Sequence, residues 1–128
     1  MKITHFTHPA AYYLIKECGY VDLEGCNASR GWDSMSRKNR RTVYKLIGRH
    51  VWFTQALKAK TASSNKIALS FDSDRIGAVR WQDYKRRFRN SKAKWAFVEK
   101  FDESARMLGD NSNDYWLTDK PVSLECQE

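Results

Sequence analysis

The stretch KITHFTHPAAYYLIKECG, residues 2–19, sets a strand directly before a helix. Lys2 to Phe6 alternates at the period of two that a half-buried strand requires. Pro9 suits the first turn of a helix, because its φ is already helical and its missing N–H would find no partner there. Thr7 or His8 is placed to cap that helix. Ala11, Leu14, Ile15 and Cys18 recur at helical spacing and predict a buried stripe, with Gly19 as the left-handed stop. His5 and Thr7 therefore end a strand beside a helix N-terminus. Unpaired N–H groups and the helix dipole favour an anionic ligand there.

Working outward, β-branched and aromatic residues mark further strands at Val51 to Thr54, Lys66 to Phe71 and Tyr115 to Thr118. Ile67, Leu69 and Phe71 alternate, and Val122 to Leu124 adds a last strand after the break at Pro121. Trp81, Tyr84 and Phe88 lie three and four apart, as on a helix, and Ala93 to Leu108 predicts another with Trp95, Val98, Phe101 and Ala105 inward. Gly25 to Ser36 and Lys58 to Asn65 read as loops, and Gly109 to Asp114 as a turn. Arg37 to Arg49 fits either a partial helix or an ordered loop. The pattern is α+β, one domain over residues 1–128, with antiparallel pairing.

Five Trp, six Tyr and six Phe give the 128-residue chain enough large side chains for a core. Twenty-three Lys and Arg against fifteen Asp and Glu leave a net charge of +8, which favours polyanionic partners. Cys18, Cys26 and Cys126 are odd in number and lack CxxC spacing, which fits neither a disulfide framework nor a zinc site. His5, His8 and His50 show no metal-ligand spacing; His50, beside Arg49, is expected to be exposed. Neither a secretory leader nor ~18 consecutive apolar residues occur, so a cytoplasmic protein without membrane contact is expected. P-loop, GxGxxG and GxSxG motifs are also missing.

The order of short motifs resembles the ADP-ribosyltransferase superfamily, in particular small microbial members related to DNA-targeting toxins and RNA 2′-phosphotransferases. His-Phe-Thr at residues 5–7 opens into a helix ending at Gly19. Val-Trp-Phe-Thr follows at 51–54, Ile-Gly-Ala-Val-Arg-Trp at 76–81, and Asp-Tyr-Trp-Leu-Thr at 114–118 with Lys-Pro-Val at 120–122. The resemblance spans most of the chain as spaced motifs. It implies a split antiparallel sheet with flanking helices that clamps NAD as co-substrate. By resemblance His5 holds a ribose hydroxyl with Thr7 beside it, and Trp52, Phe53 and Thr54 wall the nicotinamide. A glutamate carries the catalytic charge. NAD cleavage passes through an oxocarbenium-like state that needs such a carboxylate. Glu125, Glu99 and Glu103 are the candidates, and no family-type catalytic segment singles one out.

A second signal is basic. Arg37, Lys38, Arg40 and Arg41, with Lys85, Arg86, Arg87 and Arg89, are candidate contacts to DNA or RNA, interleaved with Tyr44, Tyr84, Phe88 and Trp95. The plainer reading makes Tyr84 and Phe88 a buried helical stripe under a solvated basic face. His5 likewise has a plain reading as a strand histidine, and Trp52 and Phe53 must point to opposite faces. The leading expectation is NAD-dependent ADP-ribosyl transfer to a macromolecular target. The alternatives are a non-catalytic basic nucleic-acid-binding protein, or a phage or mobile-element factor that binds and inhibits a host protein.

Overall fold

A computed structural model describes residues 1–23, 37–56 and 67–128, with residues 37–40 described as backbone alone. The loops expected over 25–36 and 58–65, and Cys26, lie outside the described residues. The strands are β1 (Lys2–Thr7), β2 (Tyr20–Val21), β3 (Val51–Thr54), β4 (Ile67–Asp72), β5 (Val79–Arg80), β6 (Tyr115–Thr118) and β7 (Val122–Ser123). The helices are α1 (Pro9–Cys18), α2 (Arg37–Ile47), α3 (Trp81–Tyr84) and α4 (Lys92–Met107), and 3-10 turns follow at Lys85–Phe88, Ser112–Asp114 and Leu124–Cys126. The α+β class and antiparallel pairing are as expected. No described helix is long and apolar enough to cross a membrane.

Five strands form one sheet in the order β4-β1-β3-β6-β5, while β2 and β7 form a separate ribbon. β1 pairs with β4 along its whole length, from Lys2 opposite Asp72 to Thr7 opposite Ile67. The N-terminal ammonium closes that end on the Asp72 carboxylate at 3.1 Å. Its hydrogen bond, more than its charge, holds the Asp72 pKa below the ordinary value. β3 pairs with β6 through four residues, Val51 opposite Thr118 to Thr54 opposite Tyr115. Between these halves the ladder is thin: β1 and β3 share the single register pair Thr4–Thr54.

Because side chains alternate across a strand, the sheet parts two cores. Ile3, Val51, Phe53, Leu69 and Phe71 pack on one face with Val21 and Val122 of the ribbon and Tyr12 and Ile15 of α1. Trp52, Tyr115 and Leu117 face the other way, against Val43 and Ile47 of α2, Trp81, Phe88, and Val98 and Ala105 of α4. The inward face expected for α4 is therefore observed, and Ser91 caps that helix by accepting from the Lys94 N–H. Arg37–Ile47 is helical, which decides between the two readings of the basic run.

The stripe expected on α1 is met at Ile15 and missed at Leu14 and Cys18. Leu14 and Cys18 are exposed, and Tyr12 and Ile15, three apart, are the residues that meet the core. Gly19 stops α1 as expected, at φ 85°, with its N–H donating to the Ile15 carbonyl. From Asp72 the chain turns and crosses to β5 on the opposite edge of the sheet, passing Ile76 and Ala78 against the first core.

Candidate functional site

β1 turns Ile3, His5 and Thr7 to one face, and all three are buried. His5 donates from Nδ1 to the Trp52 carbonyl at 2.9 Å. A carbonyl can only accept, so this bond places a proton on Nδ1 and, in the neutral ring, a lone pair on Nε2. The Phe53 ring meets the imidazole edge-on at 5.8 Å. One residue past Thr7, α1 starts at N-cap His8, whose side chain makes no capping hydrogen bond. His5, Thr7 and Phe53 thus share one side of the sheet, beside a helix start.

Trp52 and Thr54 do not join them. Opposite neighbours in an antiparallel pair share a face, so Thr54, opposite Tyr115, and Trp52, opposite Leu117, belong to the helical side. Trp52 is 3 % exposed and lies among Trp81 and Phe101, each 5.2 Å away between ring centroids, so it is core. Thr54 accepts the Ala56 N–H at 3.1 Å through its hydroxyl. It also lines a pocket of about 190 Å³ with Gly109, Asp110, Asn111, Asp114 and Tyr115. A wider open cleft of about 570 Å³ adjoins it through Asp110 and Asn111, with Gln82, Lys85, Asp102 and Arg106 along its wall. Both openings lie on the helical side, and Asp110 and Asn111 line both. The sequence signal for them is the Asn/Asp-rich turn feeding β6, whose composition marks a turn but not a pocket.

The candidate carboxylates are also separated. Glu99 and Glu103 are exposed on α4, across the sheet from His5. Glu125 is exposed in the Leu124–Cys126 turn, whose Leu124 and Cys126 pack on the same core as Ile3 and Phe53. Its backbone carbonyl accepts from Arg75 at 3.3 Å, and Gln127, two residues on, bridges to Phe71. Phe71 is opposite Ile3, while Leu69 is opposite His5. Glu125 therefore shares His5's side but sits toward the Ile3 end of the strand.

Of the basic candidates, Arg41, Arg86, Arg87 and Arg89 are exposed, and the side chains of Arg37, Lys38 and Arg40 lie outside the described residues. Lys85 is held differently: its Nζ donates to Asp102 Oδ2 at 2.7 Å, while Asp102 Oδ1 accepts the Trp81 indole N–H at 2.7 Å. That carboxylate anchors a fully buried tryptophan, so Lys85 serves the core. Tyr84 and Phe88 belong to the same core, as the plainer reading expects.

His50 is corrected from exposed to 3 % exposed. Gly48, at φ 87°, turns the chain out of α2, and the imidazole folds back so that Nε2 donates to the Ile47 carbonyl at 2.8 Å. Tyr84 covers it at 4.9 Å. Among the described residues its buried Nδ1 has no hydrogen-bond partner. Burial lowers the His50 pKa below 6.5, and Arg87 adds to this; the Ile47 and Thr118 carbonyls and Asp119 oppose it.

Among the described residues no group of three or more His, Cys, Asp or Glu could hold a metal ion. No protein-family model matches the chain, and no curated protein or solved structure matches it either.

Proposed function

We propose that this chain is an NAD-dependent ADP-ribosyltransferase-like protein acting on a macromolecular target. The observation that carries the reading is the seam between β1 and β3. The two strands share one register pair, and the His5 side chain reaches across to the Trp52 carbonyl. The resemblance implies a split sheet with a first-strand histidine at the split, and this thin pairing inside one continuous sheet supports that reading. His5 would accept a ribose hydroxyl at Nε2, and the uncapped first turn of α1 would face the pyrophosphate. Phe53, not Trp52, is the aromatic residue on that side. Glu125 is the better-placed carboxylate for an oxocarbenium-like state, since Glu99 lies across the sheet. His5 and Thr7 are 4 % and 5 % exposed, so NAD has to uncover them on binding.

The test is thermal unfolding with and without millimolar NAD, on the wild type and on His5→Asn. Asparagine can still donate to the Trp52 carbonyl, but it has no counterpart of Nε2. NAD at ~100 times its dissociation constant stabilises the fold by about 2.7 kcal/mol. A shift in the wild type that His5→Asn abolishes supports the reading. An equal shift in both removes His5 from it.

A second reading, a non-catalytic basic protein that binds DNA or RNA, is favoured by the exposed cations Arg86, Arg87 and Arg89 on the helical side. Binding of this kind falls steeply with salt, whereas capture of a host protein need not.

A further inference from the structure

Several cations on the helical side are held in place by aromatic rings. The Arg87 guanidinium lies 3.6 Å from the Tyr84 ring centroid, Lys94 5.7 Å from Phe88, and Arg89 5.7 Å from Trp95. Arg49 lies 5.0 Å from Tyr44. Two of these rings touch, since Tyr84 meets Phe88 at 5.6 Å, and Tyr84 also meets His50, next to Arg49, at 4.9 Å. Tyr44, Tyr84, Phe88 and Trp95 all belong to or pack against one core cluster, so they are rigid supports. Among the described residues Arg86, Arg87, Arg89 and Lys94 form no ion pair, in contrast to Lys85 with Asp102 and Arg106 with Glu103.

We infer that this row, centred on Arg87, Arg89 and Lys94 with Arg49 at its flank, is a docking surface for the phosphate backbone of a nucleic-acid strand. The inference deepens the nucleic-acid reading and is independent of NAD. A cation already packed on a ring loses less freedom when it meets a phosphate than a loose one does. The supporting faces are covered by their own cations, so the row reads backbone charge and not base identity. A lipid surface fits less well, because membrane docking needs apolar side chains to insert. Among the described residues none of the exposed large hydrophobics, such as Leu14 and Met107, belongs to the row. The row also lies across the sheet from His5, so it would hold a polymer and not the reacting group.

The test is fluorescence anisotropy of labelled single-stranded DNA and RNA, each about 20 nucleotides, titrated with the full chain at several salt concentrations without NAD. About four phosphate contacts give a log–log salt slope near −2.8, a loss of roughly 50-fold between 50 and 200 mM salt. Arg87→Gln with Arg89→Gln should flatten the slope by about 1.4. Arg87→Lys with Arg89→Lys, which keeps both charges, should restore it. The charge-matched control, Lys16→Gln with Arg75→Gln, should leave it in place. Equal flattening in row and control variants would reduce the row to diffuse net charge and overturn the proposal. So would no binding at 50 mM salt, or equal binding to anionic lipid vesicles. The NAD melting shift is read separately, so either result stands when the other fails.

Discussion

Replacing Asp102 with alanine tests whether one mostly buried carboxylate organises the helical side. Its two oxygens take the Trp81 indole N–H and the Lys85 ammonium, each at 2.7 Å, and Trp81 is 0 % exposed. Truncation strands a buried N–H, which costs about 1–3 kcal/mol. It also breaks a partly exposed ion pair, for which solvent screening leaves about 0.2–1 kcal/mol. Together the expected loss is about 1–4 kcal/mol. Unfolding entropy of ~2.1 cal/mol/K per residue gives ~0.27 kcal/mol/K for this chain, so Tm should fall by roughly 4–15 °C. Asp102→Asn keeps an acceptor for the indole and should lose about half as much. Lys85→Met leaves the Trp81 bond intact and should lose no more than ~1 kcal/mol. The assay is thermal unfolding followed by tryptophan fluorescence and circular dichroism. If Asp102→Ala is no worse than Lys85→Met, the buried indole does not depend on the carboxylate and the account of Lys85 as a core-serving cation fails.

His50 makes stability depend on pH. Its folded pKa is lowered chiefly by burial, so the folded chain resists a proton that the unfolded chain accepts near 6.5. The contribution is fully present above pH 6.5 and declines as pH falls from there toward the folded pKa. Urea unfolding between pH 5 and 8 should therefore show a fall that His50→Asn flattens, and an unchanged profile would refute the assignment. Gly48→Ala should lose about 1–2 kcal/mol by urea unfolding, because a left-handed φ of 87° strains any side chain and the new Cβ would meet His50 Nε2 at 3.4 Å. Ser91→Ala should lose ~1 kcal/mol through the cap on α4, read as a shift in the urea midpoint with unchanged m.

Local patterning made several elements legible, because each carries its own signal. The alternation of Ile67, Leu69 and Phe71 matches β4, and the spacing of Val98 and Ala105 matches the inner face of α4. What could not be read was which strands lie side by side. Whether Trp52 or Phe53 faces His5 depends on register across chain separations of dozens of residues, and alternation alone states only that they face apart. His50 was hidden for a related reason: a positive φ at Gly48 folds the ring back under Tyr84, against its charged sequence neighbour Arg49. On α1 the helical spacing found Ile15, while packing against the core took Tyr12 in place of Leu14 and Cys18.

Trp52 ties the two sides of the molecule together. Its carbonyl accepts from His5 across the seam, while its ring lies 5.2 Å from Trp81 and from Phe101 and 6.1 Å from His50. A side chain that fixes a backbone through packing also fixes the hydrogen bonds of that backbone. Trp52→Phe should therefore do more than open a cavity in the helical core. By loosening β3 it should also weaken the hold on the His5 tautomer, on the face the indole never touches. In two-dimensional NMR of the imidazole nitrogens, the His5 signals of Trp52→Phe should move toward exchange between tautomers, whereas those of Phe101→Leu, which alters the same core without touching β3 backbone, should stay near wild type. If both substitutions shift His5 equally, the seam senses the core as a whole and β3 is not its specific carrier.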